Sequence, residues 1–309
     1  MQTHAKQPIK IFYDARQSVA ANNSFSPSAG KPAKVLESWQ RLEIPLEVCC
    51  FEPLGVEEIA LAHDRRYVER VLALEEENGF GNTNPEVAAA LPWVCGSMVA
   101  AALHSLKTGK LSFSPTSGAH HACYSEGGYF CTFNFLVIAA IKAHMAGASK
   151  VGILDLDCHY GNGTDDIIKQ LGLNFIRHYT FGRKTVKKGI SALYWLKKLP
   201  KILKEFRDVD LLIYNAGVDS HIHDPLGGIF TTPQLMERDL LVFRHARHWG
   251  LKVCVSLAGG YQQDEFGDIS KVLYLHDNTL KAGWREYTKQ PVKHQTQQGT
   301  GEVTHATVT

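Results

Sequence analysis

The chain has 309 residues, of which 44% are apolar and 21% charged, with 33 Lys and Arg against 31 Asp and Glu. This excludes a disordered or collagen-like chain, and a net charge of +2 gives no basic field for a nucleic-acid partner. Histidine, at 15, outnumbers tyrosine at 11, a surplus that points towards metal or acid–base chemistry.

In chain order, the runs 9–13, 46–51, 111–114, 151–157, 174–180, 211–215 and 253–257 read as strands. Most are apolar throughout, as strands covered on both faces must be. Helical patterns fall between them at 56–77, 85–106, 133–146, 165–171, 193–206, 233–248 and 265–280. Thr232-Pro233 reads as a helix start and Gly250 as a stop. The alternation predicts one α/β domain: a doubly wound, mainly parallel sheet flanked by helices. The domain is expected to span 1–287. The tail 288–309, rich in Gln, Thr and Gly, reads as polar and disordered. Seven cysteines without a C-x-x-C pair, and no secretory signature, predict reduced thiols in a cytoplasmic protein. No apolar run is expected to approach the about 20 residues of a membrane helix.

Ligands of open α/β sheets bind at the carboxyl ends of the strands. Four strand ends here carry reactive side chains. After 111–114 come the adjacent His120 and His121. After 151–154 come Asp155, Asp157, His159 and Asn162. After 211–214 comes Asp219, and after 253–257 come Gly259, Gly260 and Tyr261. In Asp157-x-His159, alternate residues at a strand end face one side, so a carboxylate and an imidazole can share a Zn²⁺ ion. Asp219 is the natural third donor, which leaves a coordination position open for catalysis. A buried Asp155 requires a His partner or a cation. His120 and His121 suit a general acid–base pair, and Tyr261, freed by two glycines, suits an oxyanion donor.

Taken together, Ser117-Gly-Ala-His120-His121-Ala122, Phe130-Cys131-Thr132-Phe133-Asn134, Asp155-Leu-Asp157-Cys-His159, Gly161-Asn162-Gly163-Thr164, Ala216-Gly217-Val-Asp219, Asp224-Pro-Leu-Gly-Gly228 and Gly259-Gly260-Tyr261 resemble the histone deacetylase and acetylpolyamine amidohydrolase superfamily, in its order and over about residues 9–285. The resemblance implies an arginase-like fold and hydrolysis of the N-acyl amide of a lysine or small amine. It implies Asp157, His159 and Asp219 as ligands of Zn²⁺, or of Fe²⁺ or Mn²⁺ by supply. It implies His121 as general base and His120 as its electrostatic partner. Asp155 would orient His120 and help bind K⁺ or Na⁺, and Asn162 would contact the second histidine. Tyr261 would hold the oxyanion. Phe130, with Tyr129, Gly259 and Gly260, would line the acyl channel.

Departures from the family pattern bear on substrate class. Tyr129 stands where Gly is common and Tyr160 where a second His is frequent. Asn82 or Asn84 lies where an Asp grips peptide backbones, and the loop holding Lys184, Lys187 and Lys188 lacks the second channel aromatic. The competing readings are a non-catalytic acyl-binding protein, which would lose Tyr261 or a ligand, and an arginase-type dinuclear manganese hydrolase. The second would need more ligands between Asp155 and Tyr160 than Cys158 and Tyr160 supply. A dehalogenase-type phosphotransferase fits the D-x-D strand end but leaves His159 and the histidine pair unexplained.

Overall fold

The structure, a computed structural model, describes residues 7–20, 22, 24–183 and 191–288. The expected tail, beyond its first residue, and the Lys184–Lys188 stretch lie outside these residues. Seven parallel strands form one sheet: β1 (Ile9–Phe12), β2 (Leu46–Cys49), β3 (Ser112–Phe113), β4 (Val151–Asp155), β5 (Ile176–Thr180), β6 (Leu211–Asn215) and β7 (Lys252–Ser256). Their order is β2-β1-β3-β7-β6-β4-β5. Every pairing is parallel, as the apolar runs require.

The helices are α1 (Lys31–Gln40), α2 (Val56–Ile59), α3 (Arg65–Leu72), α4 (Pro85–Thr108), α5 (Phe135–Met145), α6 (Asn162–Leu171), α7 (Ala192–Lys204), α8 (Thr232–His248) and α9 (Ser270–Tyr287). They divide between the two faces by strand parity. Leu212, Tyr214, Val253 and Val255 pack into a core with α1, α7, α8 and α9. Leu211, Ile213 and Cys254 point the other way, into a core with α3, α4, α5 and α6. Alternate side chains of one strand therefore feed opposite cores, which is why these strands are apolar at every position.

Four expectations change. The helix α1 is absent from the sequence reading. Its apolar surface is only Val35, Leu36 and Trp39 among polar residues, behind a Gly-Lys-Pro start that reads as a loop. The run 56–77 is two helices rather than one, because the Asp64 carboxylate accepts from Tyr67 N–H and starts a new helix. The strand predicted at 151–157 stops at Asp155, with a bend over 157–159. Finally, α4 is long and apolar enough to cross a membrane, contrary to expectation; 61% of its apolar window is buried inside the fold, where it packs along α5 and β7. Its small residues, with Pro92 in mid-helix, dilute its hydrophobic signature in the sequence.

Candidate active site

The four central strands β3, β7, β6 and β4 are neighbours, so their carboxyl ends deliver their loops to one place. Asp157, His159 and Asp219 each offer a ligand atom, and these atoms lie within 4.8 Å of one another. His159 Nδ1 is 3.1 Å from Asp157 Oδ1 and 2.9 Å from Asp219 Oδ2. Its Nε2 donates to the Leu226 carbonyl at 3.1 Å, which turns Nδ1 towards the carboxylates. Alternation along a strand is not what pairs Asp157 with His159, since both lie beyond the end of β4. The bend pairs them, and His159 N–H donates to Asp157 Oδ1 at 2.9 Å.

Asp157 and Asp219 are both buried. Burial and the facing Asp157 charge push Asp219 up to about 8. Burial would also raise Asp157, but the charge of His120 and the His159 hydrogen bond hold it low. Hydrogen bonds that the ring gives to both carboxylates lift His159 to about 11. Two buried carboxylates drawing positive charge to one imidazole form a donor set suited to a divalent cation. The main chain is shaped to this cluster. Gly259 N–H donates to Asp157 Oδ2 at 2.8 Å. A Cβ on Gly259 would come within 2.5 Å of Asp219 Oδ2 and 2.6 Å of Asp157 Oδ2. Gly259, expected against substrate, lies against the Asp157 and Asp219 carboxylates. Gly260, at φ +153, is packed by Val218 and Val272.

The two histidines sit in opposed environments. His120 Nδ1 donates to Asp155 Oδ2 at 2.7 Å, and its Nε2 lies 3.6 Å from Asp157 Oδ1. Burial alone would lower its pKa, but the charges of Asp155 and Asp157 outweigh burial and raise it to about 9. His121 Nδ1 donates to Asn162 Oδ1 at 2.6 Å. Burial and the neighbouring His120 charge lower it to about 4. The rings are 4.1 Å apart. The carboxylates beside His120 favour its charged form, and burial beside that charge favours the neutral form of His121. Asp155 has the expected His partner and also accepts from Asn215 Nδ2 at 2.8 Å and Asp157 N–H at 3.2 Å.

Tyr261 is buried beside the cluster, its ring 6.5 Å from His159 and 5.7 Å from Phe130. Its N–H donates to Asp224 Oδ2 at 2.8 Å, and burial pushes its hydroxyl pKa well up, so the phenol stays a donor. The Tyr160 hydroxyl donates to Asp165 Oδ2 at 2.5 Å. Asn82 bonds Asn78 and Asn22, and Asn84 caps α4.

Sequence reasoning missed two braces. Lys31, on the unforeseen α1, is buried and donates from Nζ to the Ala258 carbonyl at 2.5 Å, directly before Gly259. Arg238, buried on α8, donates from Nη1 to the carbonyls of Gly217 at 2.6 Å and Leu156 at 3.3 Å. It thereby ties the loop of Asp219 to that of Asp157. Its only local signal is the adjacent Asp239, which it pairs at 2.8 Å.

The chain matches the histone deacetylase domain over residues 28–180 and 183–275. An uncharacterised protein of Picosynechococcus sp. is 30% identical over 207 residues, 62% of this chain and 67% of its own. Histone deacetylase 2 of Arabidopsis thaliana is 31% identical over 167 residues, 47% of this chain and 43% of its own. The acetylpolyamine amidohydrolase of Mycoplana ramosa is 28% identical over 183 residues, 50% of this chain and 52% of its own. The last two alignments thus span about half of those proteins. In structure, the HDA15 HD domain superimposes with a TM-score of 0.71 at 20% identity, covering 90% of this chain and 87% of that one. The acetylpolyamine aminohydrolase of Burkholderia pseudomallei gives 0.69 at 17%, covering 89% and 98%. Both likenesses bear out the predicted fold. The domain match and the relatives named above define the class as amide hydrolases of the deacetylase type. The chain belongs to the histone deacetylase domain family.

Proposed function

We propose that the chain is a zinc-dependent deacetylase that cleaves the N-acyl amide, acetyl foremost, of a small amine or a lysine side chain. The observation that carries this reading is the Asp157–His159–Asp219 cluster standing beside two adjacent histidines, one bonded to the Asp155 carboxylate and the other to the Asn162 amide. Asp157, His159 and Asp219 would hold the ion, and the same donors would accept Fe²⁺ or Mn²⁺. When bound, such an ion supplies Lewis acidity towards an amide carbonyl and makes water nucleophilic at neutral pH.

The chain's own residues supply the rest. His121 is neutral, and Asn162 holds its Nδ1–H, so Nε2 can take the proton of the attacking water. His120, kept charged by Asp155, favours the negative charge that develops beside it. The Tyr261 hydroxyl donates to the carbonyl oxygen as charge builds there. The proton then passes from His121 to the departing amine nitrogen, which leaves as a neutral amine.

The described residues bring together one cluster of this kind, which favours a mononuclear over a dinuclear reading. A panel of acetyl-lysine peptides and N-acetylated amines, with and without chelator, tests the proposal. Chelation should abolish hydrolysis and added Zn²⁺ restore it. Hydrolysis indifferent to chelation and to Asp219→Ala would refute it.

A further inference from the structure

Gly128 and Cys131 face each other in an antiparallel bridge, each N–H donating to the other's carbonyl at 2.9 Å. The two residues between them, Tyr129 and Phe130, have φ of +49° and +68°. This is a two-residue hairpin turn of the kind that selects Asn-Gly, because both central residues must be left-handed. Here two bulky L-residues take those positions, at a cost in backbone strain.

The two strained residues are held differently. Phe130 is clamped: its N–H donates to the Gly79 carbonyl at 2.8 Å, its carbonyl fits against Gly118, and its ring packs on Phe80 and Tyr261. Tyr129 is 74% exposed, so burial does not offset its strain. Its ring instead lies 5.1 Å from that of His121. From there a circuit of rings runs His121 to His159 at 6.0 Å, His159 to Tyr261 at 6.5 Å, and Tyr261 to Phe130 at 5.7 Å. The Tyr129–Phe130 peptide bond closes it. The circuit is a collar of five rings, and Tyr129 is its most exposed member. Strain that packing does not offset, at the rim of a site, points to a role in the site.

We propose that Tyr129 is a specificity-determining residue that restricts the site to acyl amides carried on slim, unbranched, free-ended amines. The inference rests on the reading of the site as a deacetylase and names its substrate class. A straight aliphatic chain passes through a collar of rings. A chain that widens into a peptide main chain at the rim meets the exposed tyrosine ring. Glycine at 129 would adopt the same left-handed turn without strain and leave the rim open.

The matched pair that isolates this effect is N-acetylcadaverine and Nε-acetyl-lysine within a short peptide, which present the same acetylated aliphatic chain with and without a main chain. The zinc-loaded wild type should favour N-acetylcadaverine in kcat/KM by about tenfold or more, the size expected of a steric rim contact. Tyr129→Gly should bring the two within about threefold, chiefly by lowering the peptide's KM, and Tyr129→Phe should keep the preference. Thermal unfolding of Tyr129→Gly at or above the wild-type midpoint excludes a folding defect as the cause. A wild type that prefers the peptide, or a ratio untouched by Tyr129→Gly, overturns the inference while leaving the deacetylase reading standing. Hydrolysis of neither substrate by the loaded protein overturns both.

Discussion

The floor and the rim of the site are built on opposite terms. The floor, from Asp157, His159 and Asp219 to Gly259, is buried or half-buried, and its polar groups are matched to protein partners. It hangs from neighbouring parallel strands and is braced from behind by Arg238 and Lys31. The rim, from Gly128 to Cys131, is a two-residue turn closed by two main-chain bonds and tied to Gly79 by a third, with an exposed aromatic ring on a strained backbone. Chemistry that must not move is placed on strand ends. The selection proposed for Tyr129 would sit on a turn where one residue can change without disturbing the sheet.

The comparison breaks most sharply at Gly259. Gly259→Ala puts a Cβ against both ligand carboxylates. Turnover should fall by about 10³-fold or more, because a displacement of about 1 Å in a site already costs about 10²-fold. Metal content per chain, measured on purified protein, should fall with it; full metal occupancy and unaltered turnover would show that the floor yields as easily as the rim. The next largest effect is at Tyr261, whose ring joins the collar and whose hydroxyl is the proposed oxyanion donor. Tyr261→Phe keeps the ring and removes the donor. It should lower kcat by about 10²–10³-fold, the usual cost of one oxyanion donor, with little change in KM or melting temperature. A change confined to KM would assign Tyr261 to the rim alone.

The floor was largely legible in the sequence, and the rim's conformation was not. Asp157, His159, Asp219, His120 and His121 were legible at three strand ends because apolar strands and the residues following them are local patterns. The bend that carries His159 to Asp219 was not legible. It depends on Asp219 receiving Cys158 N–H at 3.0 Å from a segment 61 residues away. Tyr129 was visible as a departure from glycine, but its left-handed backbone was not. A Tyr-Phe pair carries no turn signal, and the turn exists because Gly79 and Gly118 clamp Phe130 from elsewhere in the chain. Lys31 and Arg238 were missed for a related reason: a lone cation in a sequence reads as solvated, and only the fold buries it.

The smallest effect concerns how the rim is tied to the body, and it depends on pH. His63 is buried between the two. Its Nδ1 donates to the Cys123 carbonyl at 2.9 Å, just after the histidine pair, and its Nε2 accepts from Asn134 N–H at 2.8 Å, just after the turn. Tyr67 and Phe133 pack on its ring. The ring must be neutral to accept at Nε2, and burial lowers its pKa from 6.5 to about 4. A histidine lowered on folding contributes its full stability above about pH 6.5. Below that the unfolded chain takes up the proton first, and the contribution is lost as pH falls towards 4. At about 1.4 kcal/mol per pH unit the loss totals about 3 kcal/mol. His63→Gln retains one donor and one acceptor but does not titrate. Urea unfolding between pH 7 and pH 4 should therefore show a shallower decline for the variant than for wild type, from a lower starting stability. Parallel declines would mean that the rim hangs on its own turn and not on this histidine.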